Sequence, residues 1–190
     1  IDVHVGAIIL SIGYGMYDPK DLKWTGYGEF SNVFTALEFE RLILAAGPTG
    51  GKVVRASDGE KPHSVAFIQC VGSRDVNKYE YCSGFCCMYA LKNAILLKEK
   101  YKDDVEVFLM YIDMRTNFKG YEEFYRRARD LGVNFIRGKP SQVLEDTKTK
   151  NLIIRAEDMT IGEPIEIDSE MVVLCTAAIP KKGSDEAARI

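Results

Sequence analysis

The sequence predicts an α/β fold, a parallel sheet with crossover helices followed by an antiparallel β-meander and one closing strand. Three observations lead there. Short apolar runs at 65–70, 105–112 and 134–137 alternate with stretches of helical periodicity at about 84–101 and 121–131, the pattern of parallel strands joined by helices. Three short segments, 142–145, 152–157 and 165–168, are separated by turn residues, as antiparallel hairpins are. The run 171–175, MVVLC, is apolar throughout, as a strand covered on both faces is.

Taken in order, residues 5–10 read as an opening strand, and 12–30, rich in Gly, Tyr and Asp, as loop. Ser31 or Asn32 stands where it can cap a helix with apolar positions Val33, Leu37 and Leu44, which Gly47-Pro48 then stops. Gly50, Gly51, Ser57, Asp58 and Gly59 mark a linker. In the stretch 84–101, Met88, Leu91, Ile95 and Leu96 form one stripe opposite lysines, an amphipathic helix. Gly132 closes the next helix. The whole order, βαβαβ then meander then strand, is similar to the pyridine-nucleotide domain of thioredoxin-reductase-like flavoproteins, a Rossmann-like arrangement. The expected division is 1–64 as a flanking strand, loop and helix, 65–180 as the Rossmann-like domain, and 181–190 as a tail.

With 190 residues, 46% of them hydrophobic, the chain has material for a sizeable core. Lys and Arg number 25 against 28 for Asp and Glu, a net charge of −3. That balance provides no basic field for nucleic acid. The apolar stretches at 7–12 and 171–179 fall short of the roughly 20 residues that cross a bilayer, so no membrane span is expected. The chain opens without an initiator Met or a signal sequence, so it reads as an internal piece of a larger protein. Five irregularly spaced cysteines, two of them adjacent, do not make the even framework of a secreted scaffold. A reducing cytoplasm is expected instead, where clustered Cys points to metal or redox chemistry.

A dinucleotide-binding unit carries GxGxxG between its first strand and helix, so that backbone amides can approach a pyrophosphate. Here the corresponding turn reads QCVGSRDVNKYEYCSGFCC, with only Gly72 and Gly84. In place of the glycines stand Cys70, Cys82, Cys86 and Cys87, spaced C-x11-C-x3-C-C. If the helix begins near Gly84, Cys82 and Cys86 share a face, Cys87 lies about 100° further round, and Cys70 arrives from the strand end. The helix N-terminus favours thiolates and an anionic cluster. Four thiolates suit a cubane iron-sulfur cluster, and they also suit tetrahedral zinc. Zinc ribbons present paired CxxC knuckles, which an adjacent pair fits poorly. Space-filling core cysteines are the remaining alternative, and that is the reading for Cys175 in its apolar strand.

The strings FTALEFERLILAAGPTGGKVVR, VAFIQCVGSRD, YCSGFCCMYALKNAILLKEKY and YIDMRTNFKGYEEFYRRARDLGVNFIRGKP resemble the A-type subunit of the heterodisulfide reductases, a flavin-containing iron-sulfur protein of methanogens and of related complexes in sulfate reducers. The resemblance extends over essentially the whole chain. It implies a thioredoxin-reductase-like flavoprotein in which this segment is inserted into the FAD domain, with residues 1–64 linking to that domain. It further implies a 4Fe-4S cluster on the cysteines matching Cys70, Cys82, Cys86 and Cys87. FAD and further clusters belong to the full-length protein. Partners would be the other reductase subunits and an electron-donating hydrogenase or dehydrogenase. The function so implied is electron transfer between the cluster and FAD, with no catalytic acid or base and no activity of the segment alone. Residues 7–13, ending in Gly13, resemble the strand and turn that leave the first FAD segment, and 171–180 the strand that re-enters it. Gly13 and Ala177 are therefore the expected flavin-edge contacts, although Thr176-Ala177-Ala178 stands where a Gly is usual.

Other signals are weaker. His4 and His63, the only histidines, have no triad-like spacing, and Arg126, Arg127 and Arg129 read as a solvated helix face. Arg115 and Lys119 follow the second strand, where a ribose would be read. Trp24 with Tyr14, Tyr17 and Tyr27 makes an aromatic loop that covers either a flavin or partner surface or its own domain. The rival functions are an NAD(P)-binding oxidoreductase domain, favoured by topology and opposed by the missing glycines, and a structural zinc or interaction module.

Overall fold

The computed structural model describes residues 2–189. In chain order the elements are β1 (Tyr14–Met16), two single 3-10 turns (Pro19–Asp21 and Lys23–Thr25), β2 (Val33–Thr35), α1 (Ala36–Ile43), β3 (Ser64–Val71) and α2 (Cys86–Tyr101). A third 3-10 turn, Lys102–Asp104, leads to β4 (Glu106–Tyr111), α3 (Tyr121–Asp130), β5 (Asn134–Arg137), β6 (Gln142–Glu145) and β7 (Leu152–Asp158). The chain ends with β8 (Glu163–Ser169), β9 (Met171–Thr176), β10 (Ala178–Pro180) and the short α4 (Ser184–Ala187).

The central sheet has the order β2-β9-β3-β4-β5 and is parallel throughout. One face is covered by the helices: Val65, Phe67, Val107, Leu109 and Val173 pack against Phe39, Leu91 and Ile95. The other is covered by the antiparallel sheet β6-β7-β8 and the aromatic loop, where Ile68, Val172 and Leu174 meet Val143, Ile154 and Ile167 together with Tyr17, Trp24 and Tyr27. Coverage on both faces explains why β3 and β9 are apolar without alternation. It also settles the aromatic loop, apart from Tyr14, on its own domain. Among the described residues no helix is long and apolar enough to cross a membrane.

The elements from β3 to β9 follow the sequence pattern within a few residues, whereas two earlier ones do not and the short α4 falls in the expected tail. Residues 5–10 form no strand, and Ile9 is 89% exposed. An apolar run becomes a strand only where a neighbour accepts its backbone hydrogen bonds, and here none does among the described residues. Residues 33–35 form an edge strand on β9, Val33 opposite Val172, rather than the first turn of a helix. The helix cap is Thr35, not Ser31 or Asn32: the Glu38 amide donates to Thr35 Oγ1 at 3.4 Å and the Thr35 amide to Glu38 Oε2 at 2.7 Å. This capping box was present in the sequence as T-x-x-E. A further feature had no sequence signal: β1 and β10 pair antiparallel, with Gly15 opposite Ile179.

Phe67 and Phe39 are fully buried and meet edge to face at 5.3 Å. Phe67→Ala is expected to destabilise the chain by about 3–5 kcal/mol in urea unfolding. Ile9→Ala should stay within about 0.5 kcal/mol of the parent chain. A large loss at Ile9 would show that the opening segment is part of the core.

Candidate metal centre

The crevice beyond the C-terminal ends of parallel strands, facing a helix N-terminus, is where open α/β sheets bind ligands. In this chain β3 delivers Cys70 there, and α2 begins with Cys86 and Cys87. Strand alternation would send Cys70 to the same face as Ile68, toward the meander. The pairing with β9 shifts register between Ile68 and Val71, and Cys70 adopts a left-handed φ of 59°. This turn brings its thiol to the Cys86 side. A non-glycine residue holds such a conformation only where its surroundings compel it. Gly72 follows at φ 79°, and a Cβ built there would stand 2.4 Å from the Tyr17 ring, so only glycine fits.

The loop 72–85 is tied down rather than free. Tyr79 donates its amide to Gly72 O at 3.2 Å, and Arg74 to Tyr81 O at 3.1 Å. Tyr81 donates its hydroxyl to Ala178 O at 2.8 Å, and Ser83 Oγ accepts from the Ala178 amide at 3.0 Å. The loop that carries Cys82 therefore rests on β10. The Cys82 side chain is half-buried, and its Sγ accepts from the Gly84 amide at 3.4 Å.

All five cysteines are free thiols, and Cys70, Cys86, Cys87 and Cys175 are buried. Cys86 is within hydrogen-bonding reach of both Cys70 and Cys87. Its thiol is pushed up, first by the neighbouring Cys70 and Cys87 thiols and then by burial. Cys87 is lowered to about 6, chiefly by the Cys86 thiol, which outweighs burial, and to a smaller extent by the Arg115 amide, the Arg115 charge and the Arg74 charge. Cys70 is lowered by Cys86 and, to a smaller extent, by Arg74 and Lys139. Burial pushes Cys175 up. The Arg74 guanidinium bonds Asp113 at 2.8 Å and feels the charges of both Cys70 and Cys82.

Three of the four predicted ligands thus gather at one place, and the fourth stands on the adjoining loop. The helix starts at Cys86, so Cys82 and Cys86 do not share a helix face: Gly84 has φ 81° and the chain is still turning there. Among the described residues, no three His, Cys, Asp or Glu side chains are drawn together closely enough for a single metal ion. A four-iron cluster takes one thiolate at each corner and needs no such single point. The donor set suits it, with soft sulfur ligands, two of them inclined to ionise, and cationic Arg74, Arg115 and Lys139 around them. The same side chains occupy the place of a phosphate-gripping turn, and Arg115 is engaged at Cys87. Nothing in the sequence pattern signals Arg74 or Lys139, and Cys175, which reads there as core, lies close behind the group.

Gly13 directly precedes β1 and Ala177 directly precedes β10, and because these strands run antiparallel, with Tyr14 opposite Pro180 and Met16 opposite Ala178, the two residues stand at opposite ends of the ribbon. The backbone of Ala177 is used within the fold: its amide donates to Val71 O at 2.9 Å, and its carbonyl accepts from the Tyr17 amide at 2.8 Å. Gly13 is exposed, with φ 71°.

No family model matches the sequence. Individual proteins do. The chain is 50% identical over 187 residues to one of two A-type iron-sulfur subunits of CoB–CoM heterodisulfide reductase in Methanopyrus kandleri, covering 97% of the chain and 28% of that protein. It is 50% identical over 189 residues to the A-type subunit of the H(2):CoB-CoM heterodisulfide,ferredoxin reductase of Methanothermobacter thermautotrophicus, covering 98% of the chain and 28% of the relative. By sequence, the chain matches a segment of heterodisulfide reductase A-type subunits. It spans between a quarter and a third of the length of these relatives. Among solved structures, the thioredoxin reductase of T. acidophilum aligns with a TM-score of 0.52 at 13% identity, over 90% of this chain and 44% of that one. L-lysine 6-monooxygenase from Pseudomonas syringae aligns at 0.56 and 12%, over 94% and 48%. These likenesses show that the chain has the α/β fold of thioredoxin-reductase-like flavoproteins.

The depressed Cys87 value has a consequence for the metal-free chain. A thiol whose folded value lies below its ordinary value near 9 contributes stability that is complete above that value and is lost as pH falls through about 6. Urea unfolding between pH 9 and pH 6 is expected to show this loss, and Cys87→Ser should remove the Cys87 part of it. A thiolate absorbance titrating only near pH 9 would contradict the lowered Cys87 value.

Proposed function

We propose that this chain is the electron-transfer segment of a flavoprotein of the heterodisulfide reductase A-type, with a 4Fe-4S cluster held by Cys70, Cys82, Cys86 and Cys87. The observation that carries the reading is the gathering of buried Cys70, Cys86 and Cys87 where the α/β fold would otherwise grip a phosphate. A bound cluster of this type supplies one-electron redox chemistry. The chain's own residues hold and shield it. Cys70 and Cys87 offer thiolates, Cys86 gives up its proton on ligation, and Cys82 closes the set from the loop. Arg74, Arg115 and Lys139 offset negative charge that burial would otherwise disfavour. No side chain here is assigned an acid or base role.

In the full-length protein the electron partner would be FAD, with Gly13 and Ala177 as the proposed edge contacts from either end of the β1–β10 ribbon. Residues 65–180 are the cluster-bearing part, 181–190 a tail, and 1–64 the link to the FAD domain; this link also lends β2 to the central sheet and α1 to the helical layer. The other reductase subunits and an electron-donating hydrogenase or dehydrogenase are the proposed partners, in the cytoplasm. The segment alone would not catalyse heterodisulfide reduction.

Iron and labile sulfide in anaerobically prepared or reconstituted chain should approach about four of each per chain, the content of one cubane cluster. Cys87→Ser and Cys82→Ser should lower both and bleach the broad visible absorption, whereas Cys175→Ser should leave them near the parent level. Equal loss in Cys175→Ser, or stoichiometric zinc that iron does not displace, would refute the ligand assignment.

The fold by itself also suits a pyridine nucleotide, but the turn lacks the glycines that admit a pyrophosphate. Calorimetric titration with NADH and NADPH is expected to show no binding in the micromolar range, and micromolar affinity would overturn this reading.

A further inference from the structure

A buried polar group without a partner is costly, about 1–3 kcal/mol each, and such groups in a native fold call for an explanation. Several flank the cysteines. Gln69, next to Cys70, is only 2% exposed, and neither its carboxamide nitrogen nor its oxygen has a partner. Ser73 Oγ and Arg74 Nη1, three and four residues beyond Cys70, are buried and unpaired as well. On α2 the Tyr89 hydroxyl is buried and completes no well-aligned hydrogen bond, although it lies within reach of the Cys175 thiol and close to Cys86. Val65 and Phe67 of β3 face the helical layer, and the two-residue period places Gln69 on the same side, where Cys86 and Cys175 belong to the core. All four side chains carry N–H or O–H donors. Donors left open around a group of thiols are arranged for sulfur acceptors that arrive with an anionic ligand.

We propose that Gln69 and Tyr89 donate hydrogen bonds to the sulfur atoms of the bound cluster and raise its reduction potential. The inference rests on the cluster reading given above. Both are positioning groups, not ligands: the carboxamide and the hydroxyl neutralise part of the negative charge that accumulates on sulfur in the reduced state, one of the factors that set cluster potentials. Ser73 and Arg74 add to the same field from the loop. Tyr89 also backs onto Phe85, its ring centroid 5.8 Å away, and Phe85 contacts Tyr14 at 5.4 Å, so its ring is fixed by packing when the hydroxyl is removed.

The test is a redox titration of the reconstituted full chain followed by electron paramagnetic resonance, with iron and sulfide measured on the same samples. Tyr89→Phe and Gln69→Met should keep the wild-type iron and sulfide content and be harder to reduce. At the poise where wild type is half reduced, each should show a ratio of reduced to oxidised cluster lower by several-fold, a tenfold drop being about 59 mV for one electron. A second measurement needs no variant. The chain has two glutamines, Gln69 and the exposed Gln142 on the meander, so side-chain nitrogen-15 labelling of glutamine should give a hyperfine coupling to the reduced cluster that reports Gln69. Unchanged potentials with an intact cluster, or no nitrogen-15 coupling in labelled wild type, would overturn the proposal and leave the ligand assignment standing. A wild-type chain that takes up no iron and sulfide would overturn both.

Discussion

Ionisable thiols crowded into the interior at the end of one strand form the interaction on which the rest of this structure depends. Burial resists thiolates, and three adjacent sulfurs would repel one another if all were charged. The fold answers in two ways. Cys86 keeps its proton between Cys70 and Cys87, and Arg74, Arg115 and Lys139 approach from three different segments. Those cations have their own constraints, since Arg74 and Arg137 share Asp113, and Lys139 reaches Asp75 in the loop. The loop geometry, the turn after β4 and the start of the meander are therefore linked through one electrostatic site.

Local backbone strain belongs to the same constraint. Cys70 and Arg74 both have positive φ, with Gly72 between them. An ordinary strand end would leave Cys70 on the meander face. The left-handed turn places it instead at the helix N-terminus, and the Tyr17 ring closing over Gly72 holds the path. Tyr17 itself is pushed up to about 12, by burial and by its bond to Asp21, so its hydroxyl stays protonated in the contact. The pairing of β1 with β10 anchors the loop from the other side, through Tyr81 and Ser83 on Ala178.

From residue 64 onward the fold was legible in the sequence because both faces of the sheet are covered: runs such as VAFIQC and MVVLC admit few other placements. Residues 5–10 carry an equally apolar pattern and form no strand, since hydropathy does not reveal whether a pairing neighbour exists. The edge strand at 33–35 was hidden by its overlap with a helical periodicity, although Thr35 and Glu38 marked the true cap. At the candidate centre, spacing identified four cysteines but could not show that Cys82 lies outside the helix, which follows from the left-handed turn at Gly84. Arg74, Lys139, Gln69 and Tyr89 had no signature at all, because their role depends on which side of a twisted chain they reach. The likeness to heterodisulfide reductase A-type subunits leaves most of the relatives' length beyond the chain.

What most needs testing is whether four cysteine sulfurs surround a four-iron cluster at this crevice. Iron K-edge absorption spectroscopy on the anaerobically reconstituted chain tests it most directly. An all-sulfur first shell is expected together with a strong iron–iron shell, both lost when Cys70 is replaced by Ser. A first shell of nitrogen or oxygen, or the absence of iron–iron scattering in the parent chain, would contradict the four-cysteine assignment.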